Sequence, residues 1–266
     1  ELLRAKNKKE ADVLAGDLKA LNDSRKDLTA KAVKEAIEYI EHSTLKEDKV
    51  LVVYLPECHE SLAGIIAGRL RERYHKPAFV LTRGEEGVKG SGRSIESYSM
   101  YEKLCECKEY LTKFGGHPMA AGLSLEEENV ERFRRKLNEQ SGLTEEDLVE
   151  KVTIDVPMPI HYIRKDLVQE LSLLEPFGKG NEKPLFAQKN LWISQMRVFG
   201  KNRNVVKMRL TDENGYPMDG VYFGNGDEFA EEGRGKREIS IVYYPDINMY
   251  QGRESLQVII RHYQFD

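Results

Sequence analysis

Residues 48–82 read DKVLVVYLPECHESLAGIIAGRLRERYHKPAFVLT, and the changes of period inside this stretch decide the fold class. Val50 to Leu55 is an unbroken apolar run, the pattern of a strand covered on both faces. Leu62, Ile65, Ile66, Arg69 and Leu70 then recur at helical spacing, with Ser61 as the expected cap. Pro77 precedes a second apolar strand, Ala78 to Leu81, so the stretch is a β-α-β unit. His59 falls between strand end and helix start, where α/β folds bind ligands.

Upstream, Leu14, Leu18, Leu21, Leu28, Ala32, Ala36 and Ile40 repeat near helical spacing, with Asn22-Asp23-Ser24 as an expected interruption. Residues 1–42 therefore read as a connecting helix, residues 43–145 as an α/β domain with a mostly parallel or mixed sheet, and residues 146–266 as a second domain. In the α/β domain a helix is expected from Tyr98 to Leu111, followed by another carrying Val130, Phe133 and Leu137. Beyond Asp147 the pattern changes to short alternating segments: KVTIDV, LWISQMRVF, VVKMRLTD, MDGVYF, EISIVYY and LQVIIRHY. A helix near Ile163 to Leu174 and the turn EPFGKGNEKP separate the first of these from the rest. Short strands punctuated by glycine predict an OB-like β-barrel.

With 266 residues, 40% apolar and 32% charged, the chain has material for two soluble cores, and no run approaches the roughly 18 apolar residues of a membrane span. Three cysteines (Cys58, Cys105, Cys107) supply neither a disulfide framework nor zinc spacing, which suits a reducing cytoplasm. A net charge of −4 excludes a uniformly basic coat but hides an asymmetry. Lys183 to Thr211 holds seven Lys or Arg and no acidic residue, whereas Glu126 to Glu150 is heavily acidic.

Two stretches carry candidate chemistry. As a strand, VKGSGRSI places Lys89, Ser91 and Arg93 on one face, with Gly90 and Gly92 between them, a donor surface that a phosphate can approach. In KFGGHPMAAGLSL, Gly115-Gly116 reads as a tight turn whose amides suit an anion, and His117 adds a directed donor or proton shuttle. In the basic run, Lys207 and Arg209 alternate with Val206, Met208 and Leu210, so the cations face outward. Arg197, Lys201 and Arg203 lie on or near an adjoining hairpin, and the five are expected to line one groove. Trp192, Tyr222 and Phe223 read as core, while Tyr216 and Tyr250, beside glycine turns, are stacking candidates.

Taken in order, HESLAGIIAGRLRERYHKPAFVL, KGSGRSI and FGGHPMAAG resemble the DHHA1 domain. LLEPFGKGNEKPLF and YQGRESLQVII resemble the barrel that follows it in RecJ-type single-strand-specific DNA exonucleases of the DHH phosphoesterase superfamily. The resemblance implies a 5′-to-3′ exonuclease of DNA repair and recombination that cleaves phosphodiesters with manganese or magnesium held by a separate DHH domain. It implies that Ser91 and Arg93 grip the 5′-terminal phosphate, and that Gly115, Gly116 and the catalytic candidate His117 hold the phosphate being cleaved, with His59 nearby. Cys58 stands where that family commonly has tryptophan.

No Asp-His-His occurs and the six histidines are scattered, so no metal ligands are assigned and the chain by itself is expected to be inactive. Glu1 is not a methionine, and the expectation is the C-terminal portion of such a nuclease. Its expected partner is single-stranded DNA, with no membrane; the sequence names no single-strand-binding protein or helicase. The competing readings are a non-catalytic single-strand-binding scaffold and a phosphodiesterase for short oligonucleotides.

Overall fold

A computed structural model describes residues 1–85 and 87–266, which divide into two compact units, Glu1–Glu150 and Lys151–Asp266.

The first unit opens with helix α1, Lys8–Glu41, capped by Asn7, whose side chain accepts the Glu10 N–H at 3.0 Å. The expected break at Asn22-Asp23-Ser24 does not occur. Asn22 accepts from the Arg25 guanidinium and Asp23 pairs with Lys26, so these side chains are engaged outside the helix and do not compete for its backbone. Only Ala32, Ala36 and Ile40, one stripe of the last turns, are buried.

Strand β1 (Leu51–Tyr54), helix α2 (Glu60–Tyr74) and strand β2 (Ala78–Arg83) form the expected unit, with β1 and β2 parallel. The cap of α2 is His59 rather than Ser61: His59 Nδ1 accepts the Ser61 N–H at 3.2 Å, and Ser61 already lies in the first turn. Strand β3 (Val88–Arg93), helix α3 (Met100–Glu106), strands β4 (Lys113–His117) and β5 (Ala120–Leu125) and helix α4 (Val130–Glu139) follow. Helix α3 is shorter than the expected Tyr98 to Leu111, because a separate 3₁₀ turn takes over at Lys108–Tyr110. The sheet is mixed, in the order β1-β2-β3-β5-β4. Alternation along β2 divides two cores. Ala78 and Val80 pack with Ile66, Leu70 and the buried stripe of α1 on one side. Phe79 and Leu81 pack with Met100, Leu104, Phe133 and Leu137 on the other.

The second unit contains β6 (Val156–Pro157), α5 (Lys165–Ser172), β7 (Phe186–Phe199), β8 (Val205–Thr211), β9 (Pro217–Phe223), α6 (Gly226–Glu232), β10 (Glu238–Tyr250) and β11 (Arg253–Phe265). The expected KVTIDV strand is realised only at its last residue: Val156 and Pro157 form the two-residue β6, and residues 151–155 are not strand. The remaining strands run β7-β8-β9-β11-β10, and β10 pairs back onto β7. The five strands thus close into a ring, with β9 and β11 parallel and α6 between the third and fourth strands. This is OB-like topology around a core that includes Leu191, Val206, Met208, Leu210, Phe229 and Tyr243.

Candidate nucleic-acid interface

Sheet register assembles the first site. Strands β3, β5 and β4 pair antiparallel, so residues directly opposite one another share a face. One row is Lys89–Ser124–Lys113, the next Ser91–Gly122–Gly115 and the third Arg93–Ala120–His117. The alternate residues, including Val88, Ala121, Leu123 and Leu125, go into the core on the opposite face. Ser91, Arg93, Gly115 and His117, scattered over 27 positions, therefore lie on one surface. Arg93 and His117 are two strand spacings apart, about 10 Å. Gly122 and Gly115 are exposed, and a Cβ on Gly115 would meet nothing within 4 Å, so the middle of the surface is bare backbone.

Helix α2 bounds this surface. Arg93 lies along its glycine positions: a Cβ on Gly64 would fall 2.9 Å from Arg93 Nη2, and one on Gly68 would sit 4.0 Å from its Cγ. The guanidinium donates to the Gly92 carbonyl at 2.8 Å and meets no carboxylate among the described residues. A half-buried, uncompensated guanidinium is a ready anion ligand. Lys89 differs, because its ammonium is 2.7 Å from Glu60, and that pairing holds the Glu60 carboxyl below its ordinary range. Only one of the strand's two cations is therefore unpaired. Glu60, Ser61, Ser91, Lys89 and Ser124 line a cleft of about 320 Å³ beside it. His59 sits at the rim; because its Nδ1 accepts from Ser61, the proton of the neutral ring is on Nε2.

Gly115-Gly116 is not the expected turn. Both residues are in β4, an edge strand with all five residues exposed, and the turn lies at Pro118-Met119. Only Gly116 needs to be glycine: its φ is +154°, and a Cβ there would fall 2.4 Å from the Ala120 carbonyl oxygen. Lys113 and Ser124 share the surface but were not singled out from sequence; their only signal is the period-two spacing from His117 and Gly122. Among the described residues no group of three His, Cys, Asp or Glu could hold a metal ion, so the residues present do not fit a metal centre. Likewise no described helix is long and apolar enough to cross a membrane.

In the second unit a groove of about 300 Å³ runs over the outer face of β7, β8 and β9, lined by Arg197, Lys207 and Arg209 together with Asn248 and Gln257. Arg197 and Lys207 are directly paired across β7 and β8. Arg209 is bound by Asp219, its partner across β8 and β9, at 2.5 Å. Lys201 and Arg203 lie outside the groove, in the connection after β7, and Arg203 is held by Asp227 at 2.6 Å. Tyr216 and Tyr250 are exposed as expected, in the β8–β9 turn and at the end of β10. Two expected core aromatics are not core: Trp192 is 61% and Phe223 60% exposed, because the strand alternation points them outward. Tyr222 does pack inward, with its ring 4.8 Å from that of Phe229.

Comparisons with known proteins agree with both halves. Residues 47–142 match the DHHA1 domain model and residues 154–262 the RecJ OB domain model. The single-stranded-DNA-specific exonuclease RecJ of Bacillus subtilis (strain 168) is 36% identical over 266 residues, covering 98% of this chain and 33% of that protein. RecJ of Escherichia coli (strain K12) is 34% identical over 270 residues, covering 97% of this chain and 46% of that protein. The crystal structure of RecJ in complex with Mg2+ from Thermus thermophilus superposes with a TM-score of 0.79 at 26% identity, covering 99% of this chain and 39% of that one. The chain spans between a third and a half of the length of these curated relatives. It joins a member of the DHHA1 domain family, residues 47–142, to a member of the RecJ OB domain family, residues 154–262.

Proposed function

We propose that this chain is the substrate-holding portion of a metal-dependent, single-strand-specific DNA exonuclease acting 5′ to 3′. The reading is supported above all by the register of β3, β5 and β4, which gathers Ser91, Arg93, Gly115 and His117 on one open surface beside the N-terminus of α2. On this reading Arg93 and Ser91 hold the 5′-terminal phosphate, and Gly115, Gly116 and His117 meet the phosphate to be cleaved. His59 adds an Nε2–H donor at the rim. The bare row through Gly122 lets the nucleotide lie close to the sheet between the two phosphates. Manganese or magnesium, held by a DHH domain, would activate water and polarise the phosphoryl group. The residues of this chain fix the nucleotide so that attack is not delayed by orientation, a large share of phosphoryl-transfer catalysis. The cationic groove of the barrel binds the single strand through its phosphates.

The test is a comparison of 5′-phosphorylated and 5′-hydroxyl oligonucleotides binding to the chain and its Arg93→Ala variant. Loss of the charge-assisted contact weakens the phosphorylated ligand by about 1.5–3 kcal/mol and leaves the hydroxyl ligand nearly unchanged. Equal weakening of both would make Arg93 a structural residue and remove the basis of the reading.

A further inference from the structure

We propose that Glu60 is a specificity-determining residue that restricts the 5′-phosphate site to monophosphate ends, because its carboxylate stands in the cleft into which the further phosphates of a 5′-triphosphate would extend. The inference rests on the reading that Ser91 and Arg93 hold a 5′-terminal phosphate, and it adds which chemical form of the end that site accepts.

Space around Ser91 is taken on two sides. Toward α2, Arg93 fills the gap against Gly64 and Gly68. Across the sheet, the row Ser91–Gly122–Gly115 leads to the phosphate to be cleaved, so the nucleotide itself takes that direction. The room that continues from Ser91 beyond the 5′ end is the cleft of about 320 Å³ between the first turn of α2 and strands β3 and β5. It reaches the next row, Lys89–Ser124, which is two residues and about 7 Å along the sheet. A single phosphate on Ser91 and Arg93 does not need that row. A second and third phosphate would enter it.

Glu60 is the acid that lines this cleft among the described residues, and two contacts keep it there. It is the first residue of α2, whose opening turn is fixed by the His59 cap, and its Oε2 lies 2.7 Å from the Lys89 ammonium. The same contact favours the ionised carboxylate, so the group that meets an incoming phosphate is an anion. Arg93, by contrast, meets no carboxylate among the described residues. Attraction for an anion is therefore present at the first phosphate position and offset by Glu60 at the next. The hydroxyls of Ser61 and Ser124, also in the cleft, would otherwise suit phosphate. A monophosphate and a triphosphate share every contact at Ser91 and Arg93, so discrimination needs an unfavourable contact beyond them, and a like charge supplies it. Hydrolytic cleavage of a strand leaves a 5′-monophosphate, whereas a strand begun from a nucleoside triphosphate keeps all three phosphates. The site thus takes ends made by a preceding hydrolysis and passes over newly initiated ones.

The test is equilibrium binding, without divalent ions, of labelled oligothymidylates of one length that end in a 5′-hydroxyl, a 5′-monophosphate or a 5′-triphosphate. The proteins are the parent chain and its Glu60→Gln variant. Glutamine keeps the size of the side chain and an acceptor for Lys89 and removes the charge. Glu60 is half-exposed, so the variant should fold, with circular dichroism as the check. The parent should bind the monophosphate more tightly than either other end, a result that needs no variant. In Glu60→Gln the triphosphate should gain roughly tenfold relative to the monophosphate, the order expected on removing one like charge from partly solvated surroundings. A parent that binds triphosphate as tightly as monophosphate, or a folded variant with an unchanged ratio, would overturn the role of Glu60 while leaving the 5′-phosphate reading intact. A parent that does not distinguish monophosphate from hydroxyl would remove both.

Discussion

The ion pair between Arg209 and Asp219 allows a gain-of-charge experiment. Asp219 lies on the groove face and its side chain is half-exposed, so Asp219→Asn frees Arg209 without disturbing the core. In the parent, Arg197 and Lys207 are the groove cations open to phosphate; in the variant Arg209 joins them. Each additional phosphate neutralised steepens the slope of log affinity against log salt by about 0.7 for single strands. Between about 50 and about 200 mM salt, one added contact deepens the loss of affinity by a further factor of about 2.6. If only the two open cations contribute, the parent loses about sevenfold over that range and the variant about eighteenfold. Contacts made elsewhere on the chain add equally to both proteins and cancel in the difference. The assay is anisotropy of a labelled single strand titrated at several salt concentrations, with circular dichroism as folding control. A variant that binds more tightly at low salt with a steeper slope supports the groove. An unchanged slope in a folded variant would falsify the assignment of Arg209 to a phosphate-binding surface.

Three further outcomes follow from the same geometry. Gly64→Ala should raise the stability of α2 by about 0.5–1 kcal/mol, as glycine is a poor helix former, yet weaken binding of 5′-phosphorylated ends because the new methyl displaces the Arg93 guanidinium; an unaltered preference for 5′-phosphate would count against the Arg93 position. Gly116→Ala should lower the denaturation midpoint, at a cost of about 1–3 kcal/mol, through its positive φ and the clash with Ala120, while Gly115→Ala stays close to the parent; equal effects would mean that the edge strand relaxes freely. Asp212 is buried, and although burial alone would raise its pKa, the Tyr216 N–H, His161 and the Asn214 N–H hold it below the ordinary carboxylate value. Its stabilisation is therefore present above its unfolded pKa and lost as pH falls through the lower folded value. Asp212→Asn should cost about 1–3 kcal/mol near neutrality, with the gap closing below about pH 4; denaturation midpoints at the two pH values check this, and a gap that persists in acid would sink it.

Much of the architecture is legible because it depends on local period. The apolar run Val50 to Leu55, the helical spacing of Leu62 to Leu70 and the restart at Ala78 lead directly to β1, α2 and β2. Period two likewise puts Lys89, Ser91 and Arg93 on one face of β3, and the ordered motifs from His59 to Gly122 carry the DHHA1 resemblance. Where local reading fails, it fails for physical reasons. Serine is a common cap, which makes Ser61 the expected one, but a histidine ring nitrogen serves instead. Glycine permits a turn, which is why Gly115-Gly116 reads as one, whereas its use here is close approach to the neighbouring strand.

By itself the sequence determined which residues bear charge, which segments are helix or strand, and which donors sit two apart on a strand, since those properties act over a few residues. Only the tertiary structure decided which charges remain available and which aromatics are exposed. Lys183 to Thr211 contains no acid, yet Asp219 and Asp227 return through the fold to neutralise Arg209 and Arg203. Glu60, on a different element, does the same for Lys89. Trp192 and Phe223 have the composition of core residues but face outward, because closure of β10 onto β7 fixes which side of each strand is interior. Pairing across a sheet and closure of a barrel join residues far apart in the chain, and no local spacing encodes which of them meet.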